Sequence, residues 1–354
     1  GRVRERLVAW TACARAWHPC MVTLCYVMLY YTKMSDAPAR AIPASARIAL
    51  ALAAVLALGL APGASAQPRV VASILPLQSL GAGVMEGVAT PEVLVRGAAS
   101  PHTYTLKPSD ARELAQAQIV FWIGPGYETF LKKPLAALSK KAKLVELIAT
   151  PGVIVLPTRE GGVWAGHDEP ASRARPRPGR GTADLDSHIF LDPMNAKAIV
   201  RAAVAALGEA DPANEARYRA NATRLAERIE AADTEHRLML GPVRSRPFVV
   251  FHDAYQYFER HYGLAAVGSI ALSPERPPGA QRLAQLKRKI RDLGAVCVFA
   301  EPQFQPALVA TLIDGTAAKT GLLDPLGATL APGPDAYFEL MRGLARALAG
   351  CLAD

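Results

Sequence analysis

Short apolar runs recur along the chain, separated by stretches with helical period. Before residue 150 they are Val70–Leu75, Glu92–Val95, Ile119–Ile123 and Leu144–Leu147. After residue 240 they are Phe248–Phe251, Ala266–Ile270 and Val296–Ala300. This strand-then-helix rhythm is that of parallel sheets with helices on both faces, and it occurs twice. It predicts an α/β fold of two lobes, each a parallel sheet flanked by helices. A chain of 354 residues agrees, being too long for one small core and ample for two domains.

Between the two halves the pattern changes to one long amphipathic stretch. Asp211 is a good N-cap and Pro212 a good first helical residue, and Tyr218, Ala222, Leu225, Ile229 and Ala232 then repeat at spacings of four and three. A helix from Pro212 to about Leu240 spans roughly 40 Å at 1.5 Å per residue, enough to cross the back of both lobes. The expected organisation is an N-terminal lobe over 67–210, a linking helix over 211–240 and a C-terminal lobe over 241–354. A single stiff helix limits how far two lobes can open.

Two segments stand outside this pattern. Ile48–Leu60 is an almost unbroken aliphatic run preceded by Arg40 and Arg47 and followed by Ala64, Ser65 and Ala66, the layout of a secretory signal peptide cleaved after Ala66. Its 13 positions fall short of the roughly 20 that cross a bilayer, and no stop-transfer charges follow. Residues 1–33 lack a clear period, and Met34 is the better start, so 1–66 read as an upstream extension plus signal peptide. The second segment, 161–186, is rich in Arg, Pro, Gly and acidic residues, has no apolar period, and is expected to be a mobile surface loop.

The leader changes what charge and cysteine counts mean. Of the formal +9, residues 1–66 contribute seven basic and two acidic side chains, which leaves 33 against 29, about +4, and removes the main support for nucleic-acid binding. The same cut reduces five cysteines to Cys297 and Cys351. An even pair in an exported chain most simply forms a disulfide, with two buried free thiols as the alternative.

Six histidines follow the leader, and three of them, His102, His188 and His252, stand where predicted strands end in loops. The carboxyl ends of strands form the ligand crevice of an open α/β sheet, so side chains from distant strands can converge there. Three imidazoles and one oxygen complete a zinc tetrahedron with nitrogens at about 2.0–2.1 Å. Taken singly, each is more often a hydrogen-bonded core residue or a helix cap. His236 and His261 lie on charged stretches that read as solvated faces, and His167 lies in the inserted loop beside Asp168 and Glu169, where it is a weak capture site or nothing. Asp324, after a short apolar run and before a turn, is the first candidate for the oxygen ligand, with water as its rival. Glu301, Asp192 and Asp253 are positioned to orient ligating imidazoles or to serve as ordinary caps.

Six strings then carry a likeness: S-P-H-T-Y-T-L-K-P-S-D (Ser100 to Asp110), H-I-F-L-D-P (His188 to Pro193), F-H-D-A-Y-Q-Y-F (Phe251 to Phe258), P-G-A-Q-R-L (Pro278 to Leu283), C-V-F-A-E-P-Q-F (Cys297 to Phe304) and L-D-P-L-G (Leu323 to Gly327). In this order, over nearly all the mature length, the chain resembles the ZnuA-type periplasmic zinc-binding proteins of bacterial ABC importers, within the family 9 metal-binding solute-binding proteins. The resemblance implies two α/β lobes on a long helix and one principal Zn2+ site, with metal held in the cleft at His102, His188 and His252. It implies a disulfide between Cys297 and Cys351 in the second lobe. It also implies a periplasmic monomer that docks peripherally at the inner membrane on the permease of a zinc ABC importer and catalyses nothing. Manganese-binding relatives carry a glutamate where His252 stands, and imidazole suits zinc whereas carboxylate suits manganese. Two departures matter. Some relatives have an acidic residue before the first histidine where this chain has Pro101, which leaves the fourth position to Asp324 or water. Many have a histidine-crowded loop, where this chain has only His167.

A zinc hydrolase is the competing class, because three histidines with an open fourth position also describe catalytic zinc. It lacks an H-E-x-x-H helix and a clearly placed general base unless Glu301 serves. A surface adhesin using zinc only for folding and a Mn2+-binding homologue are the remaining alternatives.

Overall fold

The computed structural model describes residues 67–138, 141–159, 185–271, 279–292, 294–304 and 307–353, all within one compact unit, Ser65–Asp354. The expected leader (1–66), His167 and all of the expected loop except Leu185 and Asp186 lie outside these residues. Among the described residues no helix is long and apolar enough to cross a membrane.

The first half is a four-stranded, fully parallel sheet of β1 (Val70–Ala72), β2 (Glu92–Val93), β3 (Ile119–Trp122) and β4 (Lys143–Glu146), in the order β2-β1-β3-β4. Helices α1 (Leu75–Val84), α2 (Pro108–Gln116) and α3 (Lys132–Leu138) connect them. A two-stranded antiparallel ladder, β5 (Leu156–Pro157) with β6 (Leu185–Asp186), and helix α4 (Pro193–Ala210) complete this half. The second half repeats the plan with β7 (Phe248–His252), β8 (Ala266–Ala271), β9 (Cys297–Ala300) and β10 (Lys319–Leu322), in the order β10-β9-β7-β8, again all parallel. Its helices are α6 (Gln256–Tyr262), α7 (Ala280–Asp292), α8 (Ala307–Ile313) and α9 (Ala336–Leu352). Read from the other edge, the second order is that of the first. The chain steps from the first strand to one side and then returns to the other, so each sheet has a topological switch point, between β1 and β3 and between β7 and β9. Crevices at such points, beyond the carboxyl ends of the strands, are where ligands bind.

The linking helix α5 (Glu215–Leu240) has 26 residues, about 39 Å at 1.5 Å per residue. It starts one turn later than its sequence suggests, because Pro212–Asn214 form a separate 3-10 turn. Asp211 does not cap it; its Oδ2 accepts from Tyr218 Oη at 2.7 Å and Asn214 Nδ2 at 2.8 Å. Tyr218, Leu225 and Ile229 are buried as the period requires. Helix α5 is not the sole link between the halves. All ten residues of α1 are buried, and α1 packs against both α5 and α9. Ser79 Oγ accepts from Tyr337 N at 2.9 Å and Gln78 Oε1 from Gly333 N at 3.0 Å, so two polar side chains of the first half hold backbone of the second. Core residues of both halves form one continuous apolar cluster.

Three local differences from the sequence reading have physical causes. Leu75 ends no strand but opens α1, whose second residue is Pro76. Leu185 and Asp186, the last residues of the expected loop, form β6. Strand β10 lies in a stretch that carries no strand signal. Its third residue is Gly321, where a Cβ would collide with the buried Phe299 ring, and most of its side chains are exposed.

Cys297 on β9 and Cys351 on α9 are joined by a disulfide across 54 residues. Replacing both by serine is expected to lower the free energy of unfolding by about 4 kcal/mol, the loop-closure entropy returned to the unfolded chain. Urea denaturation of the paired variant measures this, and an unchanged midpoint would contradict it.

Candidate metal centre

His252 is the last residue of β7, and Glu301 directly follows β9, so the two flank the switch point of the second sheet. His188 follows β6 and leads into the 3-10 turn Ile189–Leu191 at the start of α4. His102 lies in the connection from β2 to α2. Their rings meet: His188 Nε2 stands 3.4 Å from His102 Nε2 and 3.4 Å from His252 Nε2. One ligand atom from each lies within 4.8 Å of the others, and His188 and His252 are buried while His102 is partly so. The opposite side of the cluster is closed by Tyr127, edge-on to His102 at 4.7 Å and to His188 at 5.2 Å between ring centroids. Phe304 stands edge-on to His252.

Carboxylates fix two of the three tautomers from behind. Asp186 Oδ1 accepts from His188 N at 3.0 Å and faces His188 Nδ1 at 2.9 Å, while Oδ2 accepts from Gln256 Nε2 at 3.2 Å. Glu301 lies 2.7–2.8 Å from His252 Nδ1. An acceptor-only carboxylate takes the Nδ1 hydrogen and leaves the Nε2 lone pair of each ring pointing into the cluster. Two acceptors facing each other at 3.4 Å repel unless a cation stands between them. Nitrogens around a tetrahedral zinc with bonds of about 2.0–2.1 Å lie about 3.3–3.4 Å apart, so the observed spacing fits that ion.

The electrostatics separate the three rings. Burial holds His102 well below the ordinary imidazole value, with further lowering from His188 and His252. Burial and then His252 do the same to His188. Burial pushes His252 down too, but the Glu301 carboxylate outweighs it, helped by Asp253 and Asp186, and the ring is raised. Without a metal, a proton on His252 is what relieves the facing lone pairs. Asp186 is pushed up to about 7 by burial, against the His188 N–H and the positive charge of Arg159. At the switch point of the first sheet, Glu128 is likewise pushed up to about 7 by burial, although Ser73 Oγ, Gly124 N and Ile123 N all donate to it.

The other residues marked in the sequence are placed elsewhere. Asp324 stands outside the cluster: Oδ1 accepts from Leu326 N, Gly327 N and Gln303 Nε2 at 3.0–3.1 Å and Oδ2 from Ala328 N, so its carboxylate caps a turn. Asp192 caps α4 through Met194 N at 2.7 Å, and Asp253 pairs with Arg159. Of the three suggested orienting carboxylates, Glu301 touches a clustered ring, that of His252. Asp186 was missed, although D-S-H, with an Asp oxygen accepting from the N–H two residues on, is a readable local motif. The solvated reading of His236 and His261 is wrong. His236 is buried, with Nδ1 3.3 Å from Tyr262 Oη, and burial takes it down to about 4. His261 is nearly buried, with Nε2 2.7 Å from Asp233 Oδ1. Their partners come from other elements, which charged sequence neighbours do not reveal.

A family model described as ZnuA, zinc-uptake complex component A, periplasmic, matches residues 70–351. The high-affinity zinc uptake system protein ZnuA of Brucella suis biovar 1 is 45% identical over 307 residues, 80% of this chain and 91% of that protein. Among solved structures, a crystal structure of ZnuA is similar with a TM-score of 0.68 at 26% identity, covering 81% of this chain and 100% of that one. A ZnuA deletion mutant with zinc bound gives a TM-score of 0.67 at 27% identity, covering 82% and 99%.

In the metal-free protein His252 is expected to take up its proton at higher pH than His102 and His188, and Glu301→Gln to lower the pH at which it does so. Imidazole nitrogen chemical shifts followed through a pH titration test this. Three rings titrating together, or a His252 indifferent to Glu301→Gln, would contradict it.

Proposed function

The chain belongs to the ZnuA family of periplasmic zinc-uptake components, and on that premise we propose that it captures one Zn2+ through Nε2 of His102, His188 and His252 and carries it to the permease of an ABC-type importer. Water is the fourth ligand. The observation that supports this most directly is the meeting of three imidazoles from distant parts of the chain, with His188 Nε2 3.4 Å from Nε2 of each of the other two and all three ligand atoms within 4.8 Å of one another.

Zinc rather than manganese follows from the donors. Every nitrogen offered is imidazole, and the nearby carboxylates Asp186 and Glu301 are engaged at Nδ1, behind the rings, so no oxygen-rich shell of the kind manganese prefers is offered. The same placement argues for a carrier rather than a hydrolase: Glu301 faces the back of His252, and Asp324 is committed to backbone N–H groups, so neither is aimed at a metal-bound water as a general base. The protein works as a periplasmic monomer, its residues 67–210 and 241–354 acting as two lobes on the helix of 211–240. Because α1 also packs on α9, the lobes move little when the ion enters or leaves. Residues 1–66 supply the export signal.

His252→Ala is expected to weaken zinc binding by more than about 100-fold, beyond what loss of an outer partner causes. Asp324→Asn, away from the ion, changes it by less than about 10-fold, below the range for loss of an outer partner. Competition for Zn2+ against a chromogenic chelator reads both. Tight binding that survives His252→Ala, or collapses on Asp324→Asn, would overturn the ligand set.

A further inference from the structure

Arg159, two residues beyond β5, belongs to the first half of the chain and grips the second. Its Nε donates to both oxygens of Asp253 at 3.0 Å, and Nη2 reaches Asp253 Oδ1 as well. Nη1 donates to Glu259 Oε2 at 2.7 Å and Nη2 to Glu259 Oε1 at 3.2 Å. Asp253 is the residue after His252, and Glu259 lies on α6. Neutral bonds run beside the guanidinium. Tyr257 Oη donates to Asp186 O at 2.7 Å and accepts from Leu156 N at 2.9 Å, and Gln256 Nε2 donates to Pro157 O at 2.9 Å. The β5–β6 ladder, which delivers His188 through Asp186, is thereby fastened to the β7–α6 corner, which delivers His252.

His188 and His252 come from opposite halves, so their separation is set by whatever holds these two corners together. Gln256 and Tyr257 tie the ladder to α6, whereas Arg159 grips the main-chain neighbour of a ring in the cluster. Planar guanidinium geometry matters here, since a fork can hold two carboxylates in fixed directions and a single ammonium cannot. Desolvating three charges offsets much of their attraction, so the direction this cluster imposes counts for more than its strength.

We infer that Arg159 is a positioning residue for the metal, fixing the spacing of His188 and His252 before the ion arrives. The inference rests on the ligand set proposed above.

The test uses the purified protein with Zn2+ competition against a chromogenic chelator and the visible absorption of bound Co2+, whose intensity reports tetrahedral geometry. Arg159→Met is expected to weaken Zn2+ binding about 10- to 100-fold, the range for loss of an outer partner, and to lower the Co2+ band per bound ion. Arg159→Lys keeps the charge without the fork and should stay about 10-fold weaker than the parent, at the lower end of that range. Asp253→Asn, close in shape, should move both readouts in the same direction, and it decides the matter if Arg159→Met does not fold. Folded variants with affinity within about twofold of the parent and an unchanged Co2+ spectrum, or full rescue by lysine, would overturn the inference while leaving the ligand set standing. A parent protein that binds no zinc would instead overturn the ligand set itself.

Discussion

Three ring nitrogens that each present a lone pair to the same small volume form an arrangement that needs positive charge, and the rest of the molecule is organised around it. Neutral imidazoles can be crowded this way only if something behind them fixes which nitrogen carries hydrogen. Asp186 and Glu301 do so for His188 and His252, each within 3 Å of Nδ1. The rings also differ: Glu301 raises His252 against its burial, whereas burial and the neighbouring imidazoles lower His188 and His102. Proton and metal ion therefore compete chiefly at His252.

The fold meets this demand by using one topology twice. Each sheet has a switch point, with residues at or beyond strand ends beside it: Tyr127 and Glu128 after β3, His252 at the end of β7 and Glu301 after β9. Bringing those switch points together requires the halves to be held firmly, which α5 alone would not do. The buried α1, its contacts with α9 and the shared apolar core supply that rigidity. Preorganisation of this kind suits a carrier, since little of the binding energy is spent on ordering the site.

Most of this was legible in the chain because strands buried on both faces are written as apolar runs, and seven such runs fall on strands of the two sheets. The three histidines were legible in part for a related reason: His252 ends a strand of a parallel sheet, where side chains converge, whereas His188 follows the antiparallel β6 and His102 lies in the loop between β2 and α2. What escaped depends on contacts between distant segments. Strand β10 lacks apolar character because Phe299 occupies the space a side chain at Gly321 would need. His236 and His261 sit among charged neighbours in sequence yet face Tyr262 and Asp233 in space. Asp324 is suggested as a ligand by standing ahead of a turn, and its hydrogen bonds to that turn's N–H groups are not written in the local sequence. Arg159 carries no local pattern at all; its partners lie 94 and 100 residues away.

The atoms bonded to the ion decide whether three histidines hold it. X-ray absorption at the zinc edge of the loaded protein reads that shell directly. Three imidazole nitrogens and one oxygen, all at about 2.0–2.1 Å, are the predicted result. A shell with sulfur, or one of six oxygens with fewer than three imidazoles, would contradict the account.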